Sequence, residues 1–570
     1  MHRLIPCLFA LLLIGCGNNA SDAAPEIAPA QDPQAPEPAT QVAGSEGGDT
    51  ALVSNLLSRV DAEPAALWLS LEPLPETLLD RLWQQMALAS EQSEEVYAEI
   101  ADTTDDPLLR ALLNELAALD SPEAWAERGL SIEGVAGLHT VGLFPLLHWE
   151  VADPDAFAAM LSRLEDEAET ELPRRDIDGE PVIWLPVDDL GLAIHHDSEF
   201  VSVGLIADRP ELLRRVANVD RPSRPLQMEQ VNAFNAARGF GNDNAGFVDF
   251  QRLLHQLLDG EDEWLVEARR DGGLARLAGD GTCRTELGAL TQAFPRKSFG
   301  STHVDDQSIS MLFRLETSSE LGLRMASMAD SPVALSTERA GLLNLGLSLN
   351  LIAARDFARD IVGGWVDNPP GCFMFAGIAD QAADWQLALN RPIPPLVTNL
   401  QGFRLRVDDL AIANDEIEDM TATAALFMRN PQMMIGMAQM FSPELAALDL
   451  QPGGDPQPLP EGLIPNLGGL STWMGLSDTG LGIAIGDDSG LNAALQAGEA
   501  DRRIFAAGID LGSYAGLMQL GMANLPGGEE QAAEAGEAMA LLAAIYSHMH
   551  KSIALSEDGI DFEFGFEVAD

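Results

Sequence analysis

The stretch "EDGIDFEFGFE", residues 557–567, decides the fold class. Ile560, Phe562, Phe564 and Phe566 alternate with Asp561, Glu563, Gly565 and Glu567, the period-two pattern of a strand with one face buried and one wet. Asp558-Gly559 ahead of it is a hairpin turn signal, pairing this strand with "SIAL" at 552–555. An antiparallel sheet follows.

Working outward, the same closing pattern stands at "DQSISMLFRLE" (306–316), and three further pairs of stretches echo one another in order. "LWLSLEPLPETLLDRLWQQ" (67–85) and "LGLSLNLIAARDFARDIVG" (345–363) each read as an alternating strand and then an amphipathic helix. "LGLAIHHDSE" (190–199) answers to "LGIAIGDDSG" (481–490), an apolar strand entering an acidic turn. "GFVDFQRLLHQL" (246–257) faces "AGIDLGSYAGLM" (507–518), a strand with an inward Asp249 or Asp510 running into a helix. Four pairs in order, about 250 to 290 residues apart, are what a duplication with loop insertions leaves. The boundary falls between Thr317 and Ser331. "DPDAFAAMLSRLE" (153–165) opens with Asp153 as a cap and Pro154 at the first helical position, with Phe157, Met160, Leu161 and Leu164 on one stripe. "DDPLLRALLNELAAL" (105–119) repeats the Asp-Pro start. Many successive strands are joined by short turns, so the expected class is α+β: two related lobes, residues 51–317 and 318–570, each an antiparallel sheet with packed helices.

The 570 residues carry 89 acidic against 33 basic side chains, a formal charge of −56, with lysine only at 297 and 551. Such a chain is repelled by nucleic acid and by anionic membrane surfaces, which removes both as partners. The acidity is spread along the chain, as on a solvated surface, rather than gathered into one tail.

Residues 1–16 run from a basic start (His2, Arg3) through an apolar stretch to Leu13-Ile14-Gly15-Cys16, far below the ~20 residues of a spanning helix. The tetrad resembles the lipobox of bacterial lipoproteins, whose cysteine becomes the acylated first residue of the mature chain. The resemblance implies a signal peptide over 1–15, lipidation at Cys16 and a membrane anchor of several acyl chains. Gly17 in place of Asp implies the outer membrane, facing the periplasm. Residues 16–50, rich in Ala, Pro and Glu, hold almost no large apolar side chain and read as a disordered tether. Cys7 leaves with the signal. Cys283 and Cys372 then remain, and export to an oxidising compartment favours a disulfide between them over two buried thiols. Closing a loop of about 90 residues would contribute roughly 4–5 kcal/mol in the chain-entropy picture.

The stretches Cys283 to Arg296 and Asn399 to Leu405 resemble a loosely defined group of duplicated bacterial envelope proteins of unknown function, which brings no activity to carry over.

No stretch carries recognisable chemistry. His195-His196-Asp197 reads as a turn at a strand end, since neighbours on a strand face opposite ways. His548-Met549-His550 reads as a helix-to-strand junction rather than a metal pair. "GDDSG" (486–490) lacks the spacing of a serine-hydrolase turn, and phosphate-loop, dinucleotide and zinc-protease motifs are absent. Acidic pairs such as Glu94-Glu95 and Asp188-Asp189 are too common here to mark acid–base work. The most unusual composition is "MRNPQMMIGMAQMF" (428–441), in which Met433, Met434 and Met437 would wall a cavity for a greasy ligand or form a docking groove, unless the run is an ordinary core helix. The expected function is non-catalytic binding of an envelope partner protein, with no cofactor or metal. The alternative is a carrier or sensor of a lipid or other hydrophobic small molecule, and a hydrolase assembled only in three dimensions stays open behind both. A carrier needs a closed apolar cavity lined by these methionines, whereas a partner binder exposes them.

Overall fold

In the computed structural model the described residues are 50–83, 107–119, 121–187, 190–270, 274–331, 333–337, 341–413, 416–460, 463–464, 469–498, 502–512, 543 and 545–569. Cys7, Cys16, the signal peptide, the tether up to residue 49, Glu94-Glu95, Asp188-Asp189 and residues 513–518 lie outside them. The described chain is a mixture of helices and antiparallel strands, and it divides into two compact units.

The first unit comprises Pro33–Leu312, Gly508–Lys551 and Glu563–Asp570. Its strands are β1 (Ala66–Ser70), β2 (Ala136–Val141), β3 (Phe144–Glu150), β4 (Arg174–Ile177), β5 (Glu180–Val187), β6 (Leu190–His196), β7 (Phe200–Ala207), β8 (Ala245–Asp249) and β9 (Arg296–Val304). They pair antiparallel in the order β4-β5-β6-β7-β3-β2-β1-β8-β9. Helices cover both faces. On one side α1 (Thr50–Arg59) contributes Leu56 and Leu57, and α4 (Pro210–Val216) contributes Leu212, Leu213 and Val216. Gly137 admits this approach, because a Cβ there would stand 3.3 Å from the methyl groups of Leu56. On the other side lie α2 (Pro107–Ala117) and α3 (Pro154–Ala168). Asp153 caps α3, accepting from the amides of Asp155 and Ala156, and Phe157, Met160, Leu161 and Leu164 form its buried stripe, all as the local sequence predicts. Asp249 likewise ends β8 and caps the next helix, Phe250–Asp259, by accepting from the Arg252 amide.

The second unit comprises Phe313–Ala507 and Ser552–Phe562. The strands wholly within it are β11 (Leu343–Ser348), β12 (Leu400–Ala413), β13 (Glu416–Met428), β14 (Gln457–Pro458), β15 (Thr472–Leu476) and β16 (Gly480–Ile485), whereas the unit limits fall inside β10 (Ser308–Glu316), β17 (Arg503–Asp510), β18 (Tyr546–Leu555) and β19 (Gly559–Val568). A continuous run of pairs joins β17-β11-β12-β13-β16-β15-β14. The helices used below are α5 (Leu351–Asp367), capped by Asn350, α6 (Ala376–Leu389), α7 (Pro431–Phe441) and α8 (Leu491–Ala494).

The 557–567 stretch is a strand, and Ser556 and Gly559 exchange both backbone hydrogen bonds across a two-residue turn after β18. The expected division into a buried and a wet face does not hold: Phe562 is 41% exposed and Glu563 is half-buried. The acidic side of β19 is covered where Arg314 clasps Asp561 through Nε at 2.6 Å and Nη2 at 2.8 Å, so its carboxylate leaves water without losing a partner.

Candidate functional site

The methionine run forms α7. Asn430 starts it by accepting from the Met433 amide, with Pro431 in the first turn, where its missing N–H costs nothing. At 100° per residue, positions 433, 437, 440 and 441 share one side of the helix and 435 and 438 lie on the other. The inner side is Ile435 and Ala438, packed on Leu459, Met474, Leu476, Leu481 and Ile483 of the sheet. The outer side is Met433, Met437, Met440 and Phe441, which are 43%, 38%, 74% and 88% exposed. Met434 sits half-buried at the edge.

This corrects the cavity-wall expectation for Met433 and Met437, and equally the core-helix alternative. The inward positions are already taken by Ile435 and Ala438, so the thioethers face out. The described grooves, of about 570, 260 and 160 Å³, are lined by other residues. The feature extends beyond one helix. Among the described residues, ten of the thirteen exposed large apolar side chains belong to the second unit, Leu387 and Met374 among them. α7 itself carries no charged residue, whereas Asp380 and Asp384 on α6 and Glu444 just past α7 are exposed acids.

Cys283 and Cys372 are both buried and both disulfide-bonded. His195 and His196 face opposite ways, as expected: Nδ1 of His195 bonds to the Pro181 carbonyl at 3.0 Å, and His196 meets the Phe157 ring edge-on. Asp197 makes the turn, accepting from the Glu199 and Phe200 amides. The helix-to-strand change near His548 falls at Ile545/Tyr546, which puts His548 and His550 within β18, ring centres 6.1 Å apart. Among the described residues no group of three or more His, Cys, Asp or Glu is arranged to hold a metal ion. In the "GDDSG" turn the Ser489 hydroxyl donates to Asp487, whose carboxyl it holds below the usual range. Asp487 therefore binds the serine as an acceptor with no imidazole interposed.

One polar cluster is invisible to motif reading. His139 on β2 and His148 on β3 are fully buried beneath α1, with Nε2 atoms 3.3 Å apart, and Nδ1 of His148 meets the Ser202 hydroxyl at 2.8 Å. Burial, reinforced by the nearby Arg215, pushes His139 down to about 3, and burial drives His148 well below its ordinary value. Both imidazoles are neutral at physiological pH, so this is a hydrogen-bonded core element rather than an acid or base. The only sequence signal for it is a pair of histidines on adjacent strands of a hairpin.

Among the described residues no helix is long and apolar enough to cross a membrane. No family model matches the chain, and no curated protein or solved structure matches it either.

Proposed function

We propose that this chain is a lipid-anchored protein of the bacterial envelope, held by Cys16 at the outer membrane facing the periplasm, that binds another protein and catalyses nothing. The tether of residues 16–50 gives the folded part reach. The docking element is the outer face of α7, and its occupant is a protein with an apolar anchor surrounded by basic residues.

The observation that carries this reading is the outward stripe of Met433, Met437, Met440 and Phe441. Flexible thioethers and an aromatic ring adapt to a partner surface and supply anchor contacts. The exposed acid Glu444 just past α7 and the net charge of −56 favour a basic rim on that partner and speed its approach. The same charge disfavours an anionic bilayer as the occupant. A hydrophobic-carrier role loses its main support, because Met433 and Met437 are on the outside.

The test pairs Met437→Glu and Phe441→Glu with Leu290→Glu, an exposed apolar position in the first unit. A partner identified by crosslinking is purified and titrated against each full-length variant. At least tenfold weaker binding by the α7 variants, with Leu290→Glu unchanged, supports the reading. Equal affinity for all three, or retention by α7 of only lipid vesicles or a second copy of this chain, refutes it.

A further inference from the structure

The second unit's sheet has a different surface on its other face. There a groove of about 570 Å³ runs between the segment Ala334–Ser336 and α8. Small residues line it, among them Thr423, Ala506, Ala493 and Ala494. Into this space the sheet projects two long cationic side chains, Arg404 and Arg406, which stand two apart on β12 and so share a face. Register sets their neighbours. Arg404 lies opposite Gly346, over which the Leu335 side chain packs so closely that a Cβ there would clash with its methyl group, and Arg406 lies opposite Thr423.

Arg404 is held in place. Its guanidinium lies 4.9 Å from the centre of the buried Phe427 ring, and Nη1 donates to the carbonyls of Ala494 and Gln496 at 3.4 and 3.3 Å. Arg406 is paired with Asp408, to which it donates from Nε at 2.6 Å and Nη2 at 2.5 Å, and Asp487 with Ser489 completes the lining. A chain with 89 acidic and 33 basic side chains thus lines this groove with two arginines and two aspartates. The guanidinium fork matches oxyanions bidentately, and a ring beneath it fixes the fork in advance of binding.

We infer that this groove binds a small solute by its oxyanion, a carboxylate or a phosphate, through Arg404, with the Thr423 hydroxyl as a further donor and Arg406, paired with Asp408, beside it. Asp408 and Asp487 repel a second anionic group and accept from a donor, so the solute carries a hydroxyl or ammonium group away from its oxyanion. The site lies on the face of the sheet opposite α7 and is independent of partner docking.

The experiment titrates the full-length chain with inorganic phosphate and, separately, with acetate, following heat and the change in unfolding temperature. Saturable one-to-one binding of either anion in the millimolar range is expected. Phosphate alone identifies a phosphoryl ligand, acetate alone a carboxylate, and both the shared chemistry. Arg404→Lys keeps the charge and the stem but loses the fork, and is expected to weaken binding at least tenfold. Thr423→Val is expected to weaken it severalfold, and Arg324→Gln, outside the groove, not at all. Each variant is checked for an unchanged far-ultraviolet spectrum. Absence of saturable binding by both anions, or undiminished binding in folded Arg404→Lys, overturns the inference.

Discussion

Acidification is expected to weaken the first unit through the His139–His148 pair. In the unfolded chain these imidazoles protonate as the pH falls through about 6.5, whereas His139 in the fold stays neutral down to about 3. A group whose folded pKa is depressed in this way withdraws stability as the pH drops, by about 1.4 kcal/mol per unit between the two values. At pH 4.5, two units below the unfolded value, His139 alone removes about 3 kcal/mol, and His148 acts in the same direction. That is a large share of the 5–15 kcal/mol typical of a folded domain. The assay is urea unfolding of the wild type and of His139→Leu at pH 7, 6, 5 and 4.5. Titration of the many carboxylates is common to both proteins and cancels in the difference. The variant starts less stable, because the His148 ring loses a partner, and the gap closes by about 3 kcal/mol on acidification. A gap that stays constant from pH 7 to 4.5 refutes the reasoning.

Replacing Asp153 with Ala removes the acceptor for two amides at the start of α3 and is expected to cost about 1 kcal/mol, read as faster amide exchange in its first turn. The Arg314–Asp561 clasp is 14% and 17% exposed, between a surface pair and a buried one, so Asp561→Ala should destabilise by about 2 kcal/mol, with a double-mutant cycle against Arg314→Ala showing strong coupling. A non-reducing peptide map should link the peptides of Cys283 and Cys372, and alkylation in urea should label neither until reductant is added.

Element type was legible wherever one chain segment determines it. The cap and stripe of α3, the Asp249 strand-to-helix switch and the turn at Ser556–Gly559 follow from local spacing and turn chemistry. What packs against a face is not local. Alternation in 557–567 identifies a strand, but Arg314, some 250 residues earlier, decides that its acids are covered. Helical spacing of Met433, Met437 and Met440 is the same whether the stripe faces in or out, and Ile435 with Ala438 decides it. Nor does periodicity say which unit a strand joins: Gly508–Lys551 and Glu563–Asp570 group with Pro33–Leu312. Arg404 lies in the stretch Asn399 to Leu405 noted only for a resemblance, and Arg406 just beyond it, yet their shared groove depends on the segment Ala334–Ser336 and α8, each far away in sequence.

The most direct test of the docking account is a photo-crosslinker scanned singly through positions 433, 435, 437, 438, 440 and 441 of the lipid-anchored chain in its own envelope. One protein species captured at 433, 437, 440 and 441, and not at 435 or 438, is the predicted result. Capture without that helical period, or products containing only lipid or a second copy of this chain, contradicts it.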